Sequence, residues 1–218
     1  MTTKRKIQNP LALAVLACLT EHPMHPYEIA TTLRERGKDQ SIKLNFGALY
    51  TVVEALQRHG LISARESERE GRRPERTVYR LTRAGRIELI DWLSELISKP
   101  VKEYTQFEAG LSLIPVLPPE DAVVLLEQRC THLEMEIEQQ RSFLQRVVQR
   151  GISRLNLIES EYLLALYEAE LAWARQFAEA IRSGTLEGLT EWMTFSRATG
   201  SQEYEESQQK EEPNEGKN

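Results

Sequence analysis

Residues 45–62 read NFGALYTVVEALQRHGLI, and this stretch decides the fold of the N-terminal half. Asn45 is a good N-cap for the helix that follows, and Gly60 stands where a helix ends in the left-handed conformation. The spacing of the apolar residues between them predicts one amphipathic helix. Its buried face is predicted to contain Phe46, Leu49, Val52, Val53 and Leu56.

Two more helices are predicted upstream of this one. The first runs from about Pro10 to Thr20, and the second begins near Pro26 and ends before Gly37. Proline suits the first turn of a helix, and glycine suits the residue that follows its end. The second helix is predicted to bury Tyr27, Ile29, Ala30 and Leu33.

The period of the apolar pattern changes after these three helices. Leu61–Glu66 and Arg76–Leu81 are short strand candidates, joined by a polar, turn-forming segment. Thr82 is an N-cap for a fourth helix that runs to about Ser98. Three helices, a hairpin and a further helix follow one another in the order of a winged helix-turn-helix, which is therefore predicted for residues 1–98.

The C-terminal half is predicted to contain two long antiparallel helices. After a partly helical connector at 99–117, one helix runs from 118 to about Arg150 and the other from about Ser153 to Arg182. Two such helices leave apolar surface uncovered, and a second copy of the chain is the economical partner. Residues 118–198 are therefore predicted to form a coiled-coil dimerisation domain. The predicted dimer contacts are Leu133, Ile137, Leu144, Leu164, Leu171 and Trp173.

The sequence thus predicts a mainly α-helical protein with one small β-hairpin. The last segment, 199–218, is rich in Gln, Glu, Ser and Asn and has almost nothing to bury, so it is predicted to be a disordered tail.

The charge of the chain is divided unequally between its halves. Residues 1–90 carry 16 Lys and Arg against 10 Asp and Glu, a net charge of +6. Residues 91–218 carry 12 against 23, a net charge of −11, so the whole chain has −5. This division is typical of a DNA-binding module joined to a module that does not bind DNA.

Several other classes of protein are excluded by pattern. The longest apolar run, Leu11–Leu19, is too short to cross a membrane and lacks a signal-peptide cleavage pattern, so a cytoplasmic protein is expected. Cys18 and Cys130 have neither a disulfide pattern nor metal-ligand spacing. We find no phosphate-binding loop or nucleophile constellation in the sequence. The chain is therefore expected to be no enzyme and to need no cofactor or metal.

The N-terminal half resembles the PadR family of bacterial transcriptional regulators. The resemblance rests on residues 24–29 (MHPYEI), 47–50 (GALY), 59–62 (HGLI), 71–74 (GRRP) and 79–85 (YRLTRAG). The C-terminal half is similar to the helical domain of the longer PadR-like proteins, at 117–120 (LPPE), 126–129 (LEQR) and 170–173 (ELAW). The resemblance implies a winged helix-turn-helix that binds operator DNA and a helical domain that makes the protein a dimer.

In a helix-turn-helix, the N-terminal part of the third helix enters the major groove. Gly47 and Ala48 would permit close approach, and Thr51 can touch a base edge or methyl group. Tyr50 is either a packed aromatic or a phosphate ligand, and the resemblance favours the phosphate. On the wing, arginines at a hairpin tip can reach the DNA backbone. The predicted DNA-binding residues are Lys43, Asn45, Gly47, Ala48, Tyr50, Thr51, Arg58, Arg72, Arg73 and Arg76.

The leading interpretation is a homodimeric repressor on an inverted-repeat operator in double-stranded DNA, released by a small-molecule effector. One alternative is a ligand-independent activator or architectural DNA binder. A second alternative, from another class, is a protein-interaction module with the same fold, for which the wing arginines would be dispensable. The aromatic residues that can line an effector pocket between the subunits, or else belong to the core, are Trp92, Tyr104, Phe107, Tyr162, Trp173 and Trp192.

Overall fold

The computed structural model describes residues 7–65 and 77–198, and the chain divides into two units, Met1–Lys102 and Glu103–Asn218. Each unit has its own apolar core. The prediction of a mainly helical chain with one hairpin is confirmed. The predicted tail, 199–218, lies outside the described residues.

The N-terminal unit contains four helices whose first turns are capped by side chains. Asn9, His25, Asn45 and Thr82 each accept a hydrogen bond from a backbone N–H of the helix that follows them. A short 3-10 turn separates the second helix from the third. The helices are α1 (Pro10–Cys18), α2 (Pro26–Glu35), α3 (Phe46–Arg58) and α4 (Arg83–Ser98). The first helix therefore ends two residues before the predicted Thr20.

The hairpin is formed by β1 (Ile62–Arg65) and β2 (Val78–Leu81), paired antiparallel. A second contact, which the sequence did not indicate, fixes it to the rest of the unit. Met24, in the turn between α1 and α2, exchanges two backbone hydrogen bonds of 3.0 and 2.9 Å with Tyr79. This bridge ties the base of the wing to the helices that present α3.

Two aromatic residues that the pattern placed in the core are exposed. Tyr27 keeps 59% of its surface exposed because Pro26, one residue earlier, takes the buried position in the first turn of α2. A step of one residue rotates the side chain by about 100° around the helix, out of the buried stripe. Phe46 is 38% exposed because it packs on the outer flank of α2 rather than among the buried residues. The other predicted core positions of α2 and α3 are buried.

The C-terminal unit contains α5 (Gln106–Ser112), α6 (Pro119–Gln149), α7 (Ile158–Arg182) and a helical stretch at 189–198. Helix α5 falls within the segment predicted as a connector. The prediction that the last long helix begins near Ser153 was wrong by about one turn. Ser153 instead accepts a hydrogen bond from the backbone N–H of Leu155 and begins a 3-10 turn.

Helices α6 and α7 pack antiparallel over an apolar seam. The seam includes Leu133 and Ile137 of α6 and Ala174 and Ile181 of α7, all buried. Ion pairs beside the seam repeat every seven residues, a spacing typical of coiled-coil packing. The pairs are Glu127–Arg182, Glu134–Arg175 and Arg141–Glu168.

Among the described helices, none is long and apolar enough to span a membrane.

Candidate nucleic-acid interface

The start of α3 is held in a defined position by its own cap. The Asn45 side-chain oxygen accepts a hydrogen bond of 2.7 Å from the backbone N–H of Ala48. Leu49 and Leu56, with no exposed surface, hold the inner face of the helix against α1 and α2. The first turn carries no acidic residue, so its positive helix dipole is not neutralised there. The outer face at this end of α3 is therefore suited to approach by an anion such as a DNA phosphate.

Three of the predicted DNA contacts lie together on this outer face. Gly47 and Thr51 are exposed, and Tyr50 keeps 45% of its surface exposed. The Thr51 hydroxyl donates a 3.0 Å hydrogen bond to the carbonyl oxygen of Gly47, so its proton is engaged within the helix. The Thr51 methyl group and the acceptor lone pairs of its oxygen remain for contact with a base.

The other predicted residues around α3 differ in what they can contact. Lys43 and Arg58 are exposed at opposite ends of the helix. Ala48 is half-buried and packs against the core, so less of it is available to a ligand than the sequence suggested. Asn45 is exposed, but its side-chain oxygen is engaged in the cap, which leaves the side-chain NH₂ group as a donor.

The predicted wing contacts Arg72, Arg73 and Arg76 lie outside the described residues. Their assignment therefore continues to rest on the sequence. Two exposed arginines, Arg65 and Arg80, are described on the strands of the hairpin, and Arg80 donates a 3.0 Å hydrogen bond from Nε to the hydroxyl of Ser63.

The sequence pattern missed an aromatic cluster at the junction of α2 and α3. The rings of Tyr27 and Phe46 stack with their centroids 6.0 Å apart and an interplanar angle of 13°. The guanidinium carbon of Arg34 lies 4.6 Å from the centroid of the Phe46 ring. A helical wheel drawn outward from the buried Pro26 would have placed Tyr27 and Arg34 on one exposed flank.

Neither cysteine has the properties of a redox sensor. Burial raises the pKa of the Cys18 thiol above its ordinary value, and it raises the pKa of the Cys130 thiol as well. Since the thiolate is the reactive form, both residues serve as small apolar core residues.

The candidate effector-pocket aromatics are divided between the two units. Trp92 and Trp192 are buried in the cores of different units, and Tyr104 is 89% exposed. Phe107 and Trp173 do meet in the C-terminal unit, edge to face with centroids 6.1 Å apart.

The predicted dimer contacts differ in how exposed they are. Leu133, Ile137 and Leu171 are buried within the same chain, Leu144 and Leu164 are half-buried, and Trp173 is 43% exposed.

The N-terminal unit is a winged helix-turn-helix: three helices, a hairpin and a fourth helix, with the outer face of α3 open. Residues 15–91 match the model of the transcriptional regulator PadR-like family. The unit therefore belongs to that family, and the resemblance predicted from the sequence motifs is confirmed. This is a family of transcriptional regulators, so the prediction that the chain is no enzyme is confirmed too.

Several solved structures share the fold over most of the chain. Bacillus subtilis PadR in complex with operator DNA has 19% sequence identity and a TM-score of 0.62, covering 79% of this chain and 99% of its own. The same protein in complex with p-coumaric acid has 18% sequence identity and a TM-score of 0.62, covering 79% of this chain and 98% of its own. The Vibrio cholerae virulence activator AphA has 17% identity and a TM-score of 0.57, with coverage of 79% and 98%. Comparison with curated protein sequences gives no significant match.

Proposed function

We propose that this protein is a homodimeric repressor that binds an inverted-repeat operator through α3 and the wing. The observation that carries the proposal is the outer face of α3. Its capped N-terminus, together with exposed Gly47, Tyr50 and Thr51, belongs to the element that enters the major groove in this class. In the proposed complex Thr51 contacts a base edge, while Tyr50 and Lys43 bind phosphates.

The proposal of a homodimer is supported by the apolar surface of the C-terminal unit. Leu125 and Val124 on α6 are about half exposed, and so are Leu166 and Trp173 on α7. Exposed apolar residues on long helices favour association, and closed twofold symmetry is the commonest outcome. A twofold dimer presents two copies of α3 to two half-sites of an inverted repeat.

The direction of regulation and its control are tested separately. The B. subtilis neighbour was solved with p-coumaric acid and the V. cholerae neighbour is a virulence activator, so related folds include both a ligand complex and an activator. We expect a reporter downstream of the operator to be repressed by this protein. Aromatic carboxylic acids are the first compounds to screen for release of DNA. Increased reporter expression would instead favour the activator.

The experiment that tests the proposal is fluorescence anisotropy with DNA from upstream of the protein's own gene. Binding is measured with excess competitor DNA at low and near-physiological salt. Tight binding that survives the competitor is expected from a sequence-specific regulator. If neither this DNA nor sequences enriched from a random duplex library bind specifically, the protein-interaction alternative is favoured.

The predicted role of the wing has its own test. Replacing Arg72 and Arg73 by alanine should weaken binding to all DNA sequences alike and should lower the slope of log K against log salt by about 2 per chain, because each phosphate contact releases counterions. The matched control removes two exposed arginines at the end of α6, Arg146 in its last turn and Arg150 directly after it, and should leave the slope unchanged. An unchanged slope in the wing variant would show that the wing does not contact phosphates.

A further inference from the structure

We infer that Phe46 is a specificity-determining residue that reads thymine, through contact between its exposed ring edge and the thymine 5-methyl group. The inference rests on the proposed DNA-binding function and adds to it a residue that the sequence pattern had assigned to the core.

The first observation is where Phe46 lies. It is the first residue of α3, directly before Gly47, and 38% of its surface is exposed. The N-terminal part of this helix is the part that meets base edges in a helix-turn-helix. A single exposed apolar residue is common on protein surfaces, so its exposure by itself does not indicate a role.

The second observation is that the ring is held on the outer flank of α2. Tyr27 and Arg34 are separated by two turns of α2, about 10.5 Å along the helix axis. The Phe46 centroid lies 6.0 Å from the Tyr27 centroid and 4.6 Å from the Arg34 guanidinium carbon, distances that fit one ring between the two side chains. These two side chains cover part of the ring, and 38% of the Phe46 surface is left for contact with DNA.

The third step is chemical. Thymine alone among the DNA bases presents a methyl group in the major groove, and phenylalanine is one of the side chains that contact it. A ring already held between two neighbours loses little conformational freedom on binding. Phe46 thus favours thymine over cytosine at one position of each half-site.

The alternative for Phe46 is a purely structural one, in which the ring only holds α2 against α3. A structural brace makes no distinction between thymine and uracil, because these bases differ only in the methyl group. The two roles therefore predict different results when thymine is replaced by deoxyuridine.

The test uses the full-length chain and duplex DNA enriched from a random library. Each thymine of the enriched sequence is replaced in turn by deoxyuridine, and Kd is measured by anisotropy for the wild type and for Phe46→Ala. At one thymine per half-site, loss of the methyl group should weaken wild-type binding about three- to fivefold. The same replacement should have no effect on Phe46→Ala, which makes the two changes non-additive.

Two further variants keep the test decisive. Tyr27→Phe retains the stacked ring and should retain the dependence on that thymine. Phe46→Leu replaces Phe46→Ala if thermal unfolding shows that the alanine variant is not folded. The leucine variant should change the effect of the methyl group only at the thymine that Phe46 contacts. The Phe46 variants could instead lose affinity for the thymine and the deoxyuridine duplex by the same factor, so that the effect of the methyl group stays as in the wild type. That result would overturn this inference and leave the proposed function standing. If no sequence is enriched, the proposed function fails and the inference fails with it.

Discussion

Replacement of Gly85 by alanine is expected to unfold the N-terminal unit under conditions in which the wild type is folded. A β-carbon at this position would lie 2.0 Å from the carbonyl oxygen of Leu61 and 2.8 Å from a methyl group of Leu81. The clash involves backbone, which cannot rotate away as a flexible side chain can. The free energy of unfolding of the N-terminal unit is expected to fall by about 3 kcal/mol or more, which is the upper end of the range for overpacking.

The surroundings of Gly85 explain why the strain cannot be relieved locally. The Leu61 carbonyl oxygen accepts hydrogen bonds from both the backbone N–H and the hydroxyl of Thr82, at 3.1 and 2.9 Å. The Thr82 oxygen in turn accepts a 3.0 Å hydrogen bond from the Gly85 N–H. Moving α4 away from the residue before β1 would therefore break the cap of α4 as well as its packing.

Urea unfolding, followed by the fluorescence of Trp92, measures the effect of Gly85→Ala in the N-terminal unit. Trp92 is buried in that unit, and a Trp173→Phe/Trp192→Phe background removes the other two tryptophans. Gly47→Ala is the matched control, since its new β-carbon would make only an ordinary 3.7 Å contact with the Asn45 side chain. The free energy of unfolding of this control should equal that of the wild type or exceed it by up to about 1 kcal/mol. An unchanged midpoint for Gly85→Ala would contradict the packing described here.

A chain that ends at Lys102 is expected to be a monomer and to bind an inverted-repeat operator about 100-fold or more weakly than the full-length protein. The reason is effective concentration: in a dimer, the second α3 binds its half-site as an intramolecular event. Binding to an isolated half-site should change little. Sedimentation and anisotropy measure the two effects, and Trp92 fluorescence checks that the truncated unit is folded.

Dimerisation can be separated from other roles of the C-terminal unit by replacing that unit. Fusion of residues 1–102 to an unrelated dimeric coiled coil with a flexible linker should restore most of the lost affinity. A truncated chain that still sediments as a tight dimer would place the dimer contacts in the N-terminal unit. If the full-length protein proves monomeric, the homodimer proposal fails irrespective of the DNA result.

Local chemistry made some elements predictable. The start of α3 follows from Asn45 and its end from Gly60, since a side-chain cap and a glycine at φ 71° act on the backbone beside them. Thr82 marks the start of α4 in the same way. The start of α7 was misplaced because Ser153 is equally able to cap a short 3-10 turn, and local pattern does not distinguish the two.

The candidate site was predictable as a helix face but not in its details. Thr51 falls opposite the buried stripe of α3 and Tyr50 falls on its flank, so the pattern alone places Thr51 outside. Ala48 and Phe46 lie at the margin of that stripe, where neighbouring helices decide how much of each is covered. The pattern therefore overestimated the exposure of Ala48 and underestimated that of Phe46.

The sequence by itself determined the order of elements, the winged helix-turn-helix class and the outward face of α3, because these depend on periodicity and on caps within a few residues. Only the tertiary structure decided which distant residues meet. The Met24–Tyr79 bridge, the placement of Phe46 against Tyr27 and the clash that Gly85 avoids all join segments that no local pattern relates. Such contacts depend on how helices and strands pack in space, and packing is set by the whole core rather than by neighbouring residues.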